Sequence, residues 1–176
     1  MNNNEIFLKV AQISTGFVEI PNVVSLNIYA QGCTKRCPGC HNPELQSFNG
    51  GSKIFLDDIK NILYEYDMCD WIVYLGGDIV YQSKVIEFNK EFKKYNKNIC
   101  LYTGKNFEEL DERILENVDL VKDGEWKKEL GPVTQKETNQ SFWLKKEGIW
   151  SLVGNWDMLG ILIEEQVLEN KVLKVS

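Results

Sequence analysis

Hydrophobic and polar residues follow two different periods along the chain up to about residue 130. Short apolar runs that are rich in β-branched residues and bounded by turn residues predict strands at 5–13, 23–30, 71–77, 98–104 and 118–124. Apolar residues that recur every three or four positions predict helices at 56–66, 82–95 and 107–116. Because strands alternate with helices, the pattern predicts an α/β fold in which most strands are parallel, either doubly wound or barrel-like.

The periodic pattern weakens after about residue 130, where two further elements are predicted. Segment 141–153 has the pattern of a hairpin, and segment 158–175 has that of a terminal helix, although its β-branched residues leave this helix open. We therefore take residues 1–144 as one domain and residues 145–176 as a C-terminal extension of that domain whose role is unknown.

Length and charge narrow the classes of partner. The chain has 176 residues and a formal net charge of −6, which fits one globular domain. Proteins that bind nucleic acid or anionic membrane surfaces usually carry a basic face, so the acidic balance argues against both. The sequence has neither the pattern of a leader peptide nor a long apolar segment, which favours a cytoplasmic protein with reduced thiols.

Three of the five cysteines, Cys33, Cys37 and Cys40, lie within eight residues, and the only histidine, His41, follows them. Such clustering of thiols in a reducing compartment indicates metal, iron–sulfur or redox chemistry rather than disulfide bonds. A structural zinc site takes four ligands, and a 4Fe–4S cluster normally takes four thiolates. Three thiolates on such a cluster would leave one iron open to a ligand. A zinc knuckle and a thioredoxin-like pair in the segment CPGC are the alternatives.

Two other loops follow predicted strands, as the cysteine loop does. They contain the sequence GGD at 76–78 and the sequence YTGK at 102–105. Because the carboxyl ends of neighbouring parallel strands lie on one rim, we expect the three loops to converge on one site. Taken alone, each of the two sequences is also typical of an ordinary turn between a strand and a helix.

The spacing CxxxCxxC with an open iron resembles the radical S-adenosylmethionine (SAM) enzymes. The longer string GCTKRCPGCHNPELQSFNGG resembles the branch of that family that activates anaerobic ribonucleoside-triphosphate reductases. The sequences GGD, YTGK, DLVKDGEW at 119–126 and TNQ at 138–140 follow in the order of that family. The resemblance covers roughly residues 5–144 and implies an open partial (β/α) barrel.

The resemblance also implies cofactors and residue roles. It implies a 4Fe–4S cluster whose open iron binds the amino and carboxylate groups of SAM. The GGD element would receive the methionine amino group, and the YTGK loop would lie near the ribose or the carboxylate. The implied metal ligands are Cys33, Cys37 and Cys40, and the implied cofactor-binding residues are Gly76, Gly77, Asp78, Thr103, Gly104 and His41.

His41 is included because of a departure from the family pattern. Many radical SAM enzymes have an aromatic residue near the adenine just before the third cysteine, where this chain has Gly39. His41 is therefore predicted to stack on or hydrogen-bond to the adenine, with a structural role in the loop as the alternative. Residues 123–124 are predicted to form a structural turn. The residues predicted to be core are Trp71, Phe88, Phe92 and Trp126, together with the isolated cysteines Cys69 and Cys100.

The activity implied by the resemblance is reductive cleavage of SAM, followed by abstraction of hydrogen from a backbone glycine of the reductase. The implied partners are the large glycyl-radical subunit of anaerobic ribonucleotide reductase and a flavodoxin- or ferredoxin-type reductant. One alternative is another radical SAM enzyme, either similar to 7-carboxy-7-deazaguanine synthase or an activase of a different glycyl-radical enzyme. The other alternative is a non-catalytic metal-binding module that docks on a partner.

Overall fold

The computed structural model describes residues 5–153 and 156–173, with side chains described as far as residue 165. Eight strands and four α-helices form in these residues. The strands are β1 (Phe7–Gly16), β2 (Ser25–Ala30), β3 (Ser52–Phe55), β4 (Trp71–Gly76), β5 (Asn98–Tyr102), β6 (Leu120–Asp123), β7 (Ser141–Lys146) and β8 (Ile149–Val153). The helices are α1 (Ile59–Glu65), α2 (Val85–Lys94), α3 (Glu112–Leu115) and α4 (Trp156–Leu173).

All eight strands belong to one open sheet in the order β3-β1-β2-β4-β5-β6-β7-β8. The four central strands, β2, β4, β5 and β6, are parallel to their neighbours within the group. Antiparallel strands extend the sheet at both edges, with β1 and β3 on one side and β7 and β8 on the other. The α/β prediction is confirmed, and the predicted parallel strands form the centre of a mixed sheet.

Successive residues of the central strands face opposite sides of the sheet, and each side has its own core. On β4, Ile72 and Tyr74 pack in a cluster shared with α1, α2 and α3. The neighbouring residues Trp71 and Val73 pack in a second cluster, which includes Leu159 of α4. Helices therefore cover both faces, which explains why β4 reads as a continuous apolar run, WIVYLG, instead of alternating with charged residues.

Two of the predicted helices are shorter than their apolar pattern suggests. Segment 56–66 begins with a 3₁₀ turn before α1, and segment 107–116 is divided between a 3₁₀ turn and the short α3. The division follows from a second capping residue, because the carboxylate of Asp111 accepts a hydrogen bond from the backbone N–H of Arg113 at 2.9 Å. The chain at Leu110 is extended, so the helix restarts at that point.

The predicted hairpin and terminal helix both form. Strands β7 and β8 are joined at Glu147 and Gly148, which have φ angles of 49° and 80°. Two consecutive left-handed residues are typical of the tight turn that matches the twist of antiparallel strands. The predicted terminal helix is confirmed as α4, and its residues 174–175 lie outside the described residues. Within 5–153 and 156–173, no helix is long and apolar enough to cross a membrane.

Residues predicted to be core are buried in most cases. Trp71, Phe88 and Phe92 are 2% exposed or less, and Cys69 and Cys100 are completely buried. Strand β3 is the element that the sequence does not predict. It has four residues, of which the first two are exposed, so its apolar pattern is too short to indicate a strand.

Replacing Phe92 by alanine is expected to destabilise the protein by about 3–5 kcal/mol, because the buried ring leaves a cavity against β4 and β5. The matched control is Tyr64→Ala, since Tyr64 is an α1 aromatic residue that is 87% exposed. We expect the control to change the free energy of unfolding by less than about 0.5 kcal/mol. Urea denaturation of both variants measures the difference, and equal losses would contradict the assignment of the core.

Candidate metal centre and cofactor cavity

The loops that follow the four parallel strands surround one cavity of about 340 Å³. This volume is in the range of small-molecule sites, roughly 300–1,000 Å³. The site residues predicted from the sequence all line it, namely Cys33, Cys37, Cys40, His41, Gly76, Gly77, Asp78, Thr103 and Gly104. The expected convergence of three loops on one rim is therefore observed, while the roles of the individual residues stay predictions.

The cysteine loop is held at both ends by backbone and amide hydrogen bonds. The backbone N–H of Gly32 donates to Leu45 O at 2.7 Å, and that of Cys33 donates to Gln46 O at 3.1 Å. Gln31, which is 4% exposed, donates from its amide Nε2 to the carbonyl oxygen of Ser47 at 2.5 Å. These bonds close the loop at its base and leave the residues between them to face the cavity.

The three thiols are free, are partly exposed and line the same cavity. Burial raises the pKa of the Cys33 thiol, the negative charge of Asp78 adds to the increase, and hydrogen bonds from the backbone N–H groups of Lys35 and Arg36 partly oppose it. Among the described residues, no group of three or more His, Cys, Asp or Glu side chains is arranged to hold a single metal ion.

The glycine pair after β4 packs directly against the start of the cysteine loop. The backbone N–H of Gly77 donates to Ala30 O, and that of Asp78 donates to Gly32 O, both at 2.8 Å. A Cβ atom on Gly77 would lie 2.7 Å from Ala30 O and 2.6 Å from Gly32 O, where no side chain fits. The glycine is therefore required by the approach of two backbone segments of this chain, in addition to any approach of a ligand.

Asp78 links the loops after β4 and β5. Its carboxylate is almost fully buried and accepts hydrogen bonds from Thr103 Oγ1 at 2.8 Å and from the Gly104 backbone N–H at 3.0 Å. Burial raises the pKa of Asp78, and these hydrogen bonds partly oppose the increase because they favour the charged form. The Thr103 hydroxyl also accepts from the Lys105 backbone N–H at 3.1 Å, so its hydrogen-bonding capacity is used within the protein.

His41 lies against Trp126 at one side of the cavity. Their ring centroids are 4.2 Å apart, with an interplanar angle of 48°. The Trp126 Nε1 atom is buried, and none of the described residues accepts a hydrogen bond from it. The prediction that Trp126 is a core residue is wrong, because the side chain forms part of the cavity wall next to Gly39. An aromatic wall with an unpaired indole N–H is suited to a flat, hydrogen-bonding ligand.

Several other residues line the cavity that lie in the quoted sequences but were given no site role there. Lys122 and Tyr102 come from β6 and β5, and Gln140 belongs to the sequence TNQ. The amide Nε2 of Gln140 donates to the carbonyl oxygen of Gly124 at 3.1 Å, which holds the turn after β6 in place. The quoted motifs were the signal for all three residues, but a lysine within a predicted strand gives no further signal of a cavity residue.

Asp123 is the last residue of β6 and Gly124 forms the bend after it, at the place where the sequence predicts a structural turn. The Asp123 carboxylate accepts hydrogen bonds from the backbone N–H groups of Phe107 and Ser141 and from the indole of Trp143. Gly124 has a φ of 86°, and a Cβ there would lie 2.8 Å from Asn139 O. This carboxylate therefore fixes the chain around the rim and does not face a ligand.

The fold and the thiol-lined cavity define a protein that holds one iron–sulfur cluster at the rim of an open α/β sheet. A family model described as a 4Fe-4S single cluster domain matches residues 23–142, which is more than half of the chain. The chain therefore belongs to the family of 4Fe-4S single cluster domains. The donor set fits such a group, because three free thiols on one cavity wall are the ligands that an iron–sulfur cluster takes.

Curated relatives of the chain are activating enzymes. It is 26% identical to pyruvate formate-lyase 1-activating enzyme of Escherichia coli over 117 residues, which is 61% of this chain and 47% of the relative. It is 28% identical to the anaerobic ribonucleoside-triphosphate reductase-activating protein of Haemophilus influenzae over 113 residues, which is 56% of this chain and 72% of the relative. The chain thus spans about half the length of the first of these relatives and more of the second.

A solved structure shows the same fold. QueE from Escherichia coli has a TM-score of 0.53 and 12% identity, over 70% of this chain and 75% of the other. This likeness concerns the fold alone and confirms the open partial barrel. The family match and the relatives confirm the resemblance to the radical SAM family. They also confirm the two cofactors that the resemblance implies, a 4Fe–4S cluster and SAM.

Replacing Gly77 by alanine is expected to destabilise the protein by roughly 1–3 kcal/mol, because the added Cβ collides with two backbone carbonyl oxygens. The matched control is Gly160→Ala in α4, where the new Cβ meets Pro21 at an ordinary 3.4 Å. We expect the control to stabilise the helix by about 0.5–1 kcal/mol. Thermal and urea denaturation measure both, and a neutral Gly77→Ala variant would show that β2 and β4 do not approach so closely.

Proposed function

We propose that this chain is a cytoplasmic radical SAM activase that generates a glycyl radical on the large subunit of an anaerobic ribonucleoside-triphosphate reductase. A flavodoxin- or ferredoxin-type protein would supply the electron. The observation that carries the proposal is the composition of the cavity wall. Three free thiols line it together with the loops after β4 and β5, while Cys69 and Cys100 are buried in the cores and offer no fourth thiolate.

In this proposal, each part of the cavity has a distinct task. The three cysteines would hold the cluster, with one iron left for SAM, and the glycine-rich loop after β4 would receive the methionine end of SAM. Thr103 fixes the Asp78 carboxylate, and through it the loop, in the position the cofactor needs. His41 and Trp126 provide an aromatic wall for the adenine, and the unpaired indole N–H supplies a donor. When bound and reduced, the cofactors supply the one-electron cleavage of the sulfonium and the radical that takes hydrogen from a backbone glycine.

The mouth of the cavity supports a macromolecular substrate. Val18 lines the cavity and is nevertheless 77% exposed, so the cavity opens to solvent on the side of the loop between β1 and β2. Pro132, which is also exposed, lies on the rim as well. Exposed apolar side chains around an opening suit contact with a polypeptide loop, because they lose contact with water when the loop enters.

The comparisons support the reductase over pyruvate formate-lyase as the partner. The chain is 28% identical to the reductase-activating relative and 26% identical to the formate-lyase-activating one, and the matched regions cover 72% and 47% of these relatives. The second candidate function is that of a radical SAM enzyme that acts on a small molecule. The cavity volume of about 340 Å³ favours this candidate, because it lies in the range of small-molecule sites, roughly 300–1,000 Å³.

Co-incubation with the candidate reductase tests the function. The anaerobically reconstituted protein, SAM, a low-potential reductant and the reductase are expected to give the electron paramagnetic resonance doublet of a glycyl radical. The control omits SAM and should give no doublet. Cleavage of SAM without a doublet would favour the small-molecule candidate, and a colourless zinc-loaded protein that never cleaves SAM would leave only a metal-binding module.

Cysteine variants test the ligand set. Cys37→Ala is expected to abolish the cluster, because two thiolates cannot hold it, whereas Cys100→Ala should retain it because Cys100 is completely buried in a strand. Iron and sulfide content and the visible absorption of the reconstituted proteins measure the outcome. Loss of the cluster in both variants would show that the ligands are assigned incorrectly.

A further inference from the structure

Lys122 is a buried cation at the rim of the cavity. It lies at the carboxyl end of β6 and is 8% exposed. Its Nζ donates one long hydrogen bond, to Gly124 O at 3.4 Å, and lies 5.7 Å from the centre of the Tyr102 ring. An ammonium group has three donors, so most of its hydrogen-bonding capacity has no acceptor among the described residues.

The carboxylates nearest to Lys122 have other hydrogen-bond partners. Asp78 accepts from the loop after β5 and from the 3₁₀ turn after β4. Asp123 accepts from two backbone N–H groups and an indole. Lys122 forms no ion pair with any residue in the described ranges. A buried ammonium without a paired anion costs stability, so its presence calls for an anion that enters the cavity.

The lining of the cavity indicates which anion this is. Lys122 lines the same cavity as the three free thiols Cys33, Cys37 and Cys40. Burial lowers the pKa of Lys122 to about 8, and the negative charges of Asp123 and Asp78 oppose the decrease, so the side chain keeps its proton at pH 7. Both of these carboxylates are engaged in hydrogen bonds, which leaves the thiols as the groups that hold a further anion. The positive charge of Lys122 thus acts on the part of the cavity where a thiolate-bound cluster would lie.

On the basis of the proposed function, we propose that Lys122 is a positioning residue. Its ammonium group supplies a positive counter-charge to the iron–sulfur cluster and thereby raises the reduction potential of the cluster. One-electron reduction, with the electron taken from the low-potential protein reductant, adds one negative charge beside the buried ammonium. A nearby positive charge stabilises the more negative state, and the effect is large where water is excluded. Lys122 therefore makes the cluster easier to reduce without forming a bond to it.

The test is a redox titration of the reconstituted protein without SAM, followed by electron paramagnetic resonance. Lys122→Met is expected to shift the midpoint potential to a more negative value at unchanged cluster content. Lys122→Arg, which keeps the charge, should remain near the wild-type potential. Lys136→Met, which removes an exposed lysine, is the control for the change in net charge and should leave the potential unchanged.

The outcomes separate this inference from its competitors. An unchanged potential in Lys122→Met would overturn it. A loss of affinity for SAM but not for decarboxylated SAM, at unchanged potential, would instead assign the ammonium to the cofactor carboxylate. The neutral variants Lys122→Met and Lys122→Gln could fail to assemble the cluster. In that case, a cluster in Lys122→Arg supports the role of Lys122 as the counter-charge, and the absence of a cluster in Lys122→Arg overturns it. Because SAM is absent from the titration, a shifted potential stands even if no glycyl radical forms on the reductase.

Discussion

The contact between two backbone segments at the ends of β2 and β4 is the constraint on which the site depends. Two hydrogen bonds, from Gly77 to Ala30 and from Asp78 to Gly32, continue the parallel pairing of these strands into their loops. The cysteine loop begins at this point, so its position is tied to that of the glycine pair. The Asp78 side chain extends the connection to the loop after β5. Three strand ends are thereby fixed relative to one another before any cofactor binds, which reduces the ordering that binding requires.

The polar groups of the rim divide into two sets. The buried carboxylates Asp78 and Asp123 have their acceptor sites occupied by backbone N–H groups, a hydroxyl and an indole. The Trp126 indole N–H and the Lys122 ammonium have few or no partners in the described structure, and the three thiols form no disulfide there. Since unsatisfied buried polar groups are costly, the second set marks where ligands compensate for that cost. Carboxylates thus shape the site, while sulfur and cationic groups remain available for binding.

Much of the fold could be predicted from the sequence because its strands are buried on both faces and its helices have one apolar face. The convergence of the cysteine and GGD loops followed from the rule that parallel strands end on one rim. The β7–β8 hairpin was predicted, but the antiparallel pairing of β1 with β2 and of β6 with β7 was not, since apolar periodicity carries no information on strand direction, and β3 was too short to predict. Trp126 was wrongly predicted to be core and Lys122 was given no role, although both lie in the quoted string DLVKDGEW, for a related reason. An aromatic residue in a loop has no period, and a lysine in a central strand is typical of neither core nor cavity.

The mouth of the cavity bears on the choice between a small and a large substrate. A site for a small molecule is usually closed by polar groups that recognise each substrate atom, because specificity must come from the site itself. Here the side chains Val18 and Pro132 at the opening are apolar and exposed. They cannot form specific hydrogen bonds through their side chains, but they can be covered by a partner whose recognition is spread over a wider surface. Under the proposed function, a rim of this kind would leave the selection of the substrate to protein–protein contact, which hydrogen abstraction from a backbone glycine needs, since every protein contains that group.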